Sequence, residues 1–571
     1  MERWVVTAKR ADFQSIGERF HIDPVTARII RNRDVTGEAA IEQYLHGGLK
    51  DLYDPWLMKD MKKAVEMIIS AVEQKKKIRI IGDYDIDGVM STYILLTGLC
   101  QAGAIVDTYI PDRIQDGYGM HEHLVRRAFE DQIDLIVTCD NGIAAYKEIS
   151  LAKELGMKVL VTDHHNIPYE EREDGSRVSI LPPADAVVNP KQEDCSYPFQ
   201  ALCGAAVAYK LVTALYQKCG IDSAEHEKLL ELVAIATVGD VMDLLGENRI
   251  LVKEGLKRLQ NPVNTGIRAL VEATDLQDKT INSYHIGFVL GPCINASGRL
   301  DTAQRSLALL KASDREEAAR LAGDLVAMNE SRKSMTADGV EQAIYVLETS
   351  GLLQDRVLVV YLPDCHESLA GIIAGRIRER YYKPVFVLTR GEKGVKGSGR
   401  SIEGYSMYDE LTKCKELLTQ FGGHPMAAGV LMPEEHVELF RKKLNDVCTL
   451  TEQELTPKVT IDVPMPLSYV RPSLVQELEM LEPFGKGNPR PLFAQKNVQI
   501  LSPRVVGRNR NVVQMKVMDE SGTVWPAVYF GDGDIFCEFV GKKRIVSIVY
   551  YPQLHVWQGV EILRITIQNY Q

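Results

Sequence analysis

The sequence predicts a multidomain α/β protein: a parallel-sheet domain first, a second α/β unit joined to it by a long helix, and a β-barrel at the C-terminal end. Three observations carry this. A chain of 571 residues exceeds what one core supports, so three or four domains are expected. Near the front, short apolar runs that empty into polar loops alternate with helix-like stretches. From Pro491 onward, short β-like runs alternate with turns.

The front segments share one grammar. KKKIRIIGDYDIDG carries an apolar run from Ile78 to Ile81, then Gly and acids. DLIVTCDNGI carries Leu135 to Val137, then Asp140-Asn141-Gly142. KVLVTDHHN carries Val159 to Val161, then Asp163-His164-His165. Helix-like stretches such as Val89 to Gln101 and Ala144 to Leu155 lie between them, which implies right-handed crossovers and a parallel sheet. Loops that follow parallel strands open on one edge, so the polar clusters should converge in one cleft. A fourth candidate, LLELVAIATVGDVMDL, brings Asp240 and Asp243. From about Ala312 to Leu347 the chain reads as a charged helical connector. VLVVYL, from Val357, opens a second α/β unit that runs to about Cys448. TPKVTID opens the third regime, followed by NVQILSPRVVG, VVQMKVMDESG, TVWPAVYF and RIVSIVYYPQLHVWQGVEILRITI. The expected division is 1–50, a segment without a readable motif; 51–310, the catalytic domain; 311–347, the connector; 348–452; and 453–571.

Composition narrows the function. Hydrophobic residues at 45% and charged residues at 25% are ordinary for a globular protein. A net charge of −11 argues against nonspecific coating of nucleic acid, while leaving room for an enzyme with a local basic groove. No apolar run reaches the roughly 18 residues of a membrane span, and MERWVVTAKR lacks the apolar stretch of a secretory signal, so a cytoplasmic location is expected. Ten cysteines without CxxC spacing exclude a disulfide framework or zinc knuckle; Cys100, Cys139, Cys203 and Cys293 read as small core residues.

Asp83, Asp85 and Asp87 alternate in GDYDIDG, and in an extended segment they would face one point. Carboxylates so placed repel unless a cation sits between them. A calcium EF-hand loop is excluded, because position 12 is Ile94 and a strand precedes the acids. With Asp140 and His164-His165 added, the donor set suits Mn²⁺, Fe²⁺, Co²⁺ or Zn²⁺ better than Ca²⁺. So many ligands fit two ions about 3.5–4 Å apart, which favours hydrolysis of a phosphoester or phosphoanhydride.

GDYDIDG, CDNGI, VTDHHN and VGDVMDL resemble the successive motifs of the DHH phosphoesterase superfamily. GPCINASGRL, KGSGRSIEGYSMYDEL and FGGHPMAAG narrow the resemblance to the RecJ family, and LEPFGKGNPRPLF is similar to the segment leading into that family's OB-fold. The resemblance runs from about Leu49 to the end. It implies a DHH domain, a DHH-associated domain and an OB-type barrel, and a single-stranded-DNA-specific 5′→3′ exonuclease acting in repair and recombination. It implies two divalent cations, Mn²⁺ or Mg²⁺, held by Asp85, Asp87, Asp140, His164 and Asp240, with Asp140 bridging. Asp83 and Asp163 would support these from behind, and His165 would face the scissile phosphate. Arg299 would hold a substrate phosphate. Arg113, Ser398 and Arg400 would take the terminal 5′-phosphate, and His424 with its glycine amides would meet the nucleotide backbone. One departure stands out: His366-Glu367-Ser368 carries a serine where the family's His-x-Gly segment has glycine.

In the last domain Arg504, Arg508, Arg510 and Lys516, with Trp525, Tyr529, Tyr550 and Trp557, offer the parts of a single-strand platform; a barrel core would account for half of them. The resemblance further implies a monomer working beside a RecQ-type helicase and a single-stranded-DNA-binding protein, away from membranes. Two other readings share the motifs. A phosphodiesterase for short oligonucleotides or cyclic dinucleotides would generally lack the third domain. A scaffold would have lost metal ligands, whereas all five positions are filled here.

Overall fold

The computed structural model describes residues 2–172, 175–557 and 560–571. The front domain is built on five parallel strands: β1 (Lys77–Ile81), β2 (Ile105–Tyr109), β3 (Leu135–Cys139), β4 (Lys158–Thr162) and β5 (Ala186–Val188). Their order is β2-β1-β3-β4-β5. Every residue of β3 is buried, because helices cover both faces, which is why these strands read as unbroken apolar runs. Helix α1 (Ile86–Gln101) follows β1 almost at once. Helices α2 (Gly204–Cys219) and α3 (Leu230–Gly239) pack against it in one core. Helix α3 is apolar on all sides because other elements surround it.

Helix α4 (Gly291–Leu300) closes this domain, and α5 (Arg315–Thr349) leaves it. At 35 residues α5 spans about 50 Å at 1.5 Å per residue. Its first half puts Ala318, Leu321 and Leu325 into the front core. Its last turns put Ala343 and Leu347 into the core of the next domain. That domain carries a mixed sheet of β6 (Leu358–Tyr361), β7 (Val385–Gly391), β8 (Gly394–Arg400), β9 (Gln420–His424) and β10 (Ala427–Met432), with α6 (Ala370–Tyr381) packed against β7 and β8.

The C-terminal strands β11 (Phe493–Val506), β12 (Val512–Met518), β13 (Val524–Phe530), β14 (Ile545–Trp557) and β15 (Val560–Tyr570) run in the order β11-β12-β13-β15-β14. Pairing of β11 with β14 closes the barrel and leaves no free edge among them. The first fifty residues, unreadable in sequence, belong with this barrel. Ile29, Ile30 and Leu45 share its core, and Arg3–Val6 pairs in parallel with Lys458–Ile461. A buried ion pair, Arg33 Nη1 to Asp462 Oδ1 at 2.6 Å, pins the two together. The guanidinium of buried Arg249 then ties both to the front domain through the carbonyls of Tyr44, Leu481 and Met480 at 2.8–2.9 Å.

Cys139, Cys203 and Cys293 are buried as expected, but Cys100 is exposed: it lies in the last turn of α1, past the packed face. No described helix is long and apolar enough to cross a membrane.

Candidate metal centre and substrate cleft

The acids of GDYDIDG do not lie in an extended segment. Helix α1 begins at Ile86, so Asp85 caps it, its Oδ1 accepting from the Asp87 and Gly88 amides at 2.9 and 3.0 Å. Asp87 sits in the first turn and turns inward, where its two oxygens accept from the amides of Gly204 and Ala205 at 2.7 and 2.8 Å. Convergence thus comes from a strand–helix junction, not from strand alternation. Asp140 follows β3 in the left-handed region, with φ of 59°. His164 follows β4, and its Nε2 lies 3.0 Å from Asp140 Oδ1, 3.6 Å from Asp87 Oδ2 and 3.8 Å from Asp240 Oδ2. Asp240 reaches the cluster as the residue that ends α3.

Three triads of ligand atoms emerge, Asp83-Asp85-Asp140, Asp87-His164-Asp240 and Asp140-His164-His165, each with its atoms within 4.8 Å of one another. Asp163 does a different job. Its Oδ1 accepts from the His164 and His165 amides at 2.7 and 3.0 Å and lies 2.8 Å from His165 Nδ1, while its Oδ2 accepts from the Ile143 amide at 2.9 Å. It shapes the loop and orients the His165 ring.

The electrostatics call for cations. Burial, then Asp87 and Asp85, push the Asp140 carboxyl well above the usual range. Burial and Asp85 do the same to Asp83. Asp240 is raised to about 8 by burial and Asp87. Burial lowers His164, keeping its imidazole neutral as a ligand must be. Burial also opposes the charge on His165, but Asp163 prevails and raises it. Among the described residues no lysine or arginine forms an ion pair with any of these acids. Buried Oδ1 atoms of Asp83 and Asp140 lack a hydrogen-bond partner there. Buried, unpaired carboxylates with a neutral imidazole fit divalent ions.

Across the cleft the sign reverses. Arg299, at the end of α4, donates from Nη1 to the Ser368 carbonyl of the second domain at 3.0 Å; burial, Arg113 and Arg332 depress it to about 10. Arg113 stacks on Tyr84, 4.5 Å from the ring centre. Arg113 and Ser398 line one cavity of about 450 Å³ between the domains, with Tyr84, Ser368 and Phe421. Behind them Arg400 donates to Ser398 Oγ at 3.0 Å and to the Gly399 carbonyl at 2.7 Å. Gly371 lets α6 approach this pair: a Cβ there would lie 2.6 Å from Arg400 Nη2. Arg113, Arg299 and Arg400 form no ion pair with a carboxylate among the described residues; in the cavity wall Glu367 is paired with Lys396 at 2.7 Å, so Arg113 is left to meet an anion.

His424 is not brought into this cavity: it lies exposed at the end of β9, whose residues Gln420 to Gly422 form the wall. Ser368 contributes its carbonyl to Arg299, so the departure from glycine leaves that contact intact; its hydroxyl sits 2.7 Å from His366 Nδ1. Asp243 turns away, 3.6 Å from Lys486. Sequence reasoning missed Tyr118, whose hydroxyl donates to the Asp140 carbonyl at 3.0 Å and lies 3.1 Å from His165 Nδ1. It also missed Arg332, held on Asn329 Oδ1 at 2.9–3.1 Å, because an arginine in a charged helix carries no distinguishing signal. In the barrel Tyr550 is buried and donates to the Met465 carbonyl, and Tyr529 stacks on Phe536, so these aromatics are core. Trp525 donates to the Leu467 carbonyl, whereas Arg504, Arg508 and Lys516 are exposed and Arg510 pairs with Asp534. The Trp557 side chain lies outside the described residues.

Comparison with known proteins places these parts. Residues 77–237 match the DHH family N-terminal domain, 354–450 the DHHA1 domain and 461–569 the RecJ OB domain. The single-stranded-DNA-specific exonuclease RecJ of Bacillus subtilis is 37% identical over 98% of this chain and 69% of its own length. The Escherichia coli RecJ is 32% identical over 96% of each chain. The RecJ of Thermus thermophilus, solved in complex with Mn²⁺, superposes with a TM-score of 0.84 at 28% identity, covering all of this chain and 79% of that one; its Mg²⁺ complex gives 0.78 at 26%, covering all of this chain and 78% of that one. Because the likeness extends through all three modules and across nearly the full length, this chain belongs to the RecJ family.

Proposed function

We propose that this chain is a metal-dependent exonuclease that hydrolyses single-stranded DNA from the 5′ end, releasing 5′-mononucleotides. The observation that carries this is the juxtaposition of an acid cluster without basic partners and a cavity lined by Arg113, which has no carboxylate partner, with Arg400 behind it. The strand lies along the cleft, and its 5′-phosphate docks against Arg113 and Ser398, with Arg400 holding Ser398 in place. That docking sets polarity and register. Arg299 and His165 hold the scissile phosphate, and Asp163 keeps the His165 ring oriented. His424 steadies the backbone further along. Asp85, Asp87, Asp140, His164 and Asp240 would hold two divalent ions, Mn²⁺ or Mg²⁺, which would supply an acidified water and charge to offset that of the phosphate. Asp140 is the central ligand of this set, belonging to two of the three triads and lying 3.0 Å from His164 Nε2; Asp83 supports the set.

The barrel, with exposed Arg504, Arg508 and Lys516, tracks the incoming strand. The chain works as a cytoplasmic monomer, with a RecQ-type helicase exposing single strands and a single-stranded-DNA-binding protein presenting them. The test is to digest a long 5′-phosphorylated single strand beside a dinucleotide and a blunt duplex with Mn²⁺. The long strand should be shortened from its 5′ end and the duplex spared. Cleavage of the dinucleotide alone would make it a phosphodiesterase for short substrates instead.

A further inference from the structure

The start of helix α2 touches the metal cluster in a way that no ligand assignment uses. Gly204 and Ala205 supply the two amides that Asp87 accepts, one on each oxygen. These are free N–H groups of a helix N-terminus, aimed at a carboxylate the helix field favours. Gly204 also lies directly under Asp140. A Cβ at position 204 would fall 2.7 Å from Asp140 Cβ, 3.1 Å from its Cα and 3.0 Å from its Oδ1. The nearest two of these atoms are Asp140's own Cβ and carboxylate, with its backbone just behind, so the collision cannot be relieved by swinging a flexible side-chain end. One residue back, Cys203 Sγ lies 3.4 Å from Thr237 Oγ1 of α3, the helix that ends at Asp240. The first turn of α2 therefore meets Asp87 by hydrogen bonds, Asp140 by packing and Asp240 through its supporting helix.

We propose that Gly204 is a positioning residue of the metal centre: lacking a side chain, it lets the N-terminus of α2 hold Asp87 and lets Asp140 settle against that same turn. The two carboxylates come from loops after different strands, β1 and β3. Their relative placement is thus set by a third element, which belongs to neither loop. The inference rests on the reading of the acid cluster as a divalent-ion site.

The experiment is Mn²⁺ titration calorimetry on the full-length chain and on Gly204→Ala, with a melting curve of each in EDTA. Gly204→Ala should keep a cooperative melting transition and bind Mn²⁺ about 10- to 100-fold more weakly, the usual scale for disturbing groups that orient metal ligands. Its nuclease activity should recover in part as Mn²⁺ is raised. Its affinity for a 5′-phosphorylated oligonucleotide in EDTA should be unchanged, since the arginine cavity is untouched. Wild-type Mn²⁺ affinity in Gly204→Ala would overturn the proposal. Should that variant fail to melt cooperatively, Ala205→Pro decides. Proline is tolerated in a first helical turn and lacks the N–H given to Asp87 Oδ1; because Ala205 is buried, its Mn²⁺ titration is read beside its own melting curve in EDTA. Weakened Mn²⁺ binding supports the proposal and unchanged binding overturns it. A wild-type chain that takes up no Mn²⁺ would overturn the metal reading itself, and this inference with it.

Discussion

The acid cluster and the arginines of the cleft are opposite in sign and alike in one respect: their charged groups are at least half-buried and form no ion pair of their own with a lysine, arginine or carboxylate among the described residues. They differ in where their parts come from. Asp83, Asp85, Asp87, Asp140, His164 and Asp240 all belong to one folded domain, at the ends of strands and helices that share a core. Arg113 and Arg299 come from that domain, while Ser398 and Arg400 come from the next. On the proposed reading, ion binding belongs to one domain, and recognition of the strand end to the way α5 sets two domains against each other. Mutations in the two regions should separate chemistry from polarity.

The largest effect should come from Asp140→Ala, which removes the carboxylate common to two of the three ligand triads. Activity with Mn²⁺ should fall by about 10²- to 10³-fold, the scale of losing a principal transition-state charge contact. Binding of a 5′-phosphorylated strand in EDTA should be little changed. Substantial retained nuclease activity would refute the shared-carboxylate assignment. Next in size is Arg113→Gln on the other wall. It should reduce the preference for 5′-phosphate over 5′-hydroxyl ends by about 10- to 100-fold, since a buried charged contact is worth about 2–3 kcal/mol. Mn²⁺ stoichiometry should stay the same; a loss of Mn²⁺ binding would mean the two regions are not separable.

The pH dependence sharpens the contrast. Asp83, Asp140 and Asp240 have folded-state pKa values raised above their unfolded values, with Asp240 at about 8. Without metal, Asp240 favours the folded chain fully below about pH 4 and loses that contribution as pH rises through about 8, and Asp83 and Asp140 act in the same direction. Ions displace the protons, so Mn²⁺ affinity should climb toward pH 8 by about tenfold per pH unit for each proton displaced. Melting curves with and without Mn²⁺ should diverge as pH rises. A metal-induced stabilisation that is flat from pH 5 to pH 8 would contradict the buried-acid picture. The smallest effect on chemistry should come from Arg33→Ala, which strands buried Asp462 far from both regions. It should cost about 3–5 kcal/mol of stability in the N-terminal and barrel module, visible in denaturant unfolding, while Mn²⁺ affinity stays at the wild-type value.

The acid cluster was legible in the sequence because its residues lie in short contiguous motifs behind apolar strands, and strand-end loops of a parallel sheet converge by topology. What periodicity misplaced was the local conformation. GDYDIDG was expected to be extended, but the helix starts at Ile86, because Asp85 satisfies the first free amides as a cap. The cavity was legible only through resemblance: Arg113 and Arg400 lie far apart in the chain, and nothing local marks either. His424 lies outside the cavity, at the exposed end of its hairpin, and a Gly-Gly-His turn does not reveal which face of a hairpin meets the cleft. Gly204 and Tyr118 were invisible because one acts through an absent side chain and the other through a single hydroxyl. The first fifty residues were silent because their apolar faces are completed by the barrel at the other end of the chain.

The most direct test of this division is a crystal structure of the full-length chain with Mn²⁺ and a short 5′-phosphorylated single strand. Two ions should lie among Asp85, Asp87, Asp140, His164 and Asp240, with the terminal phosphate against Arg113 and Ser398. Ions bound elsewhere, or the 3′ end of the strand seated in that cavity, would contradict it.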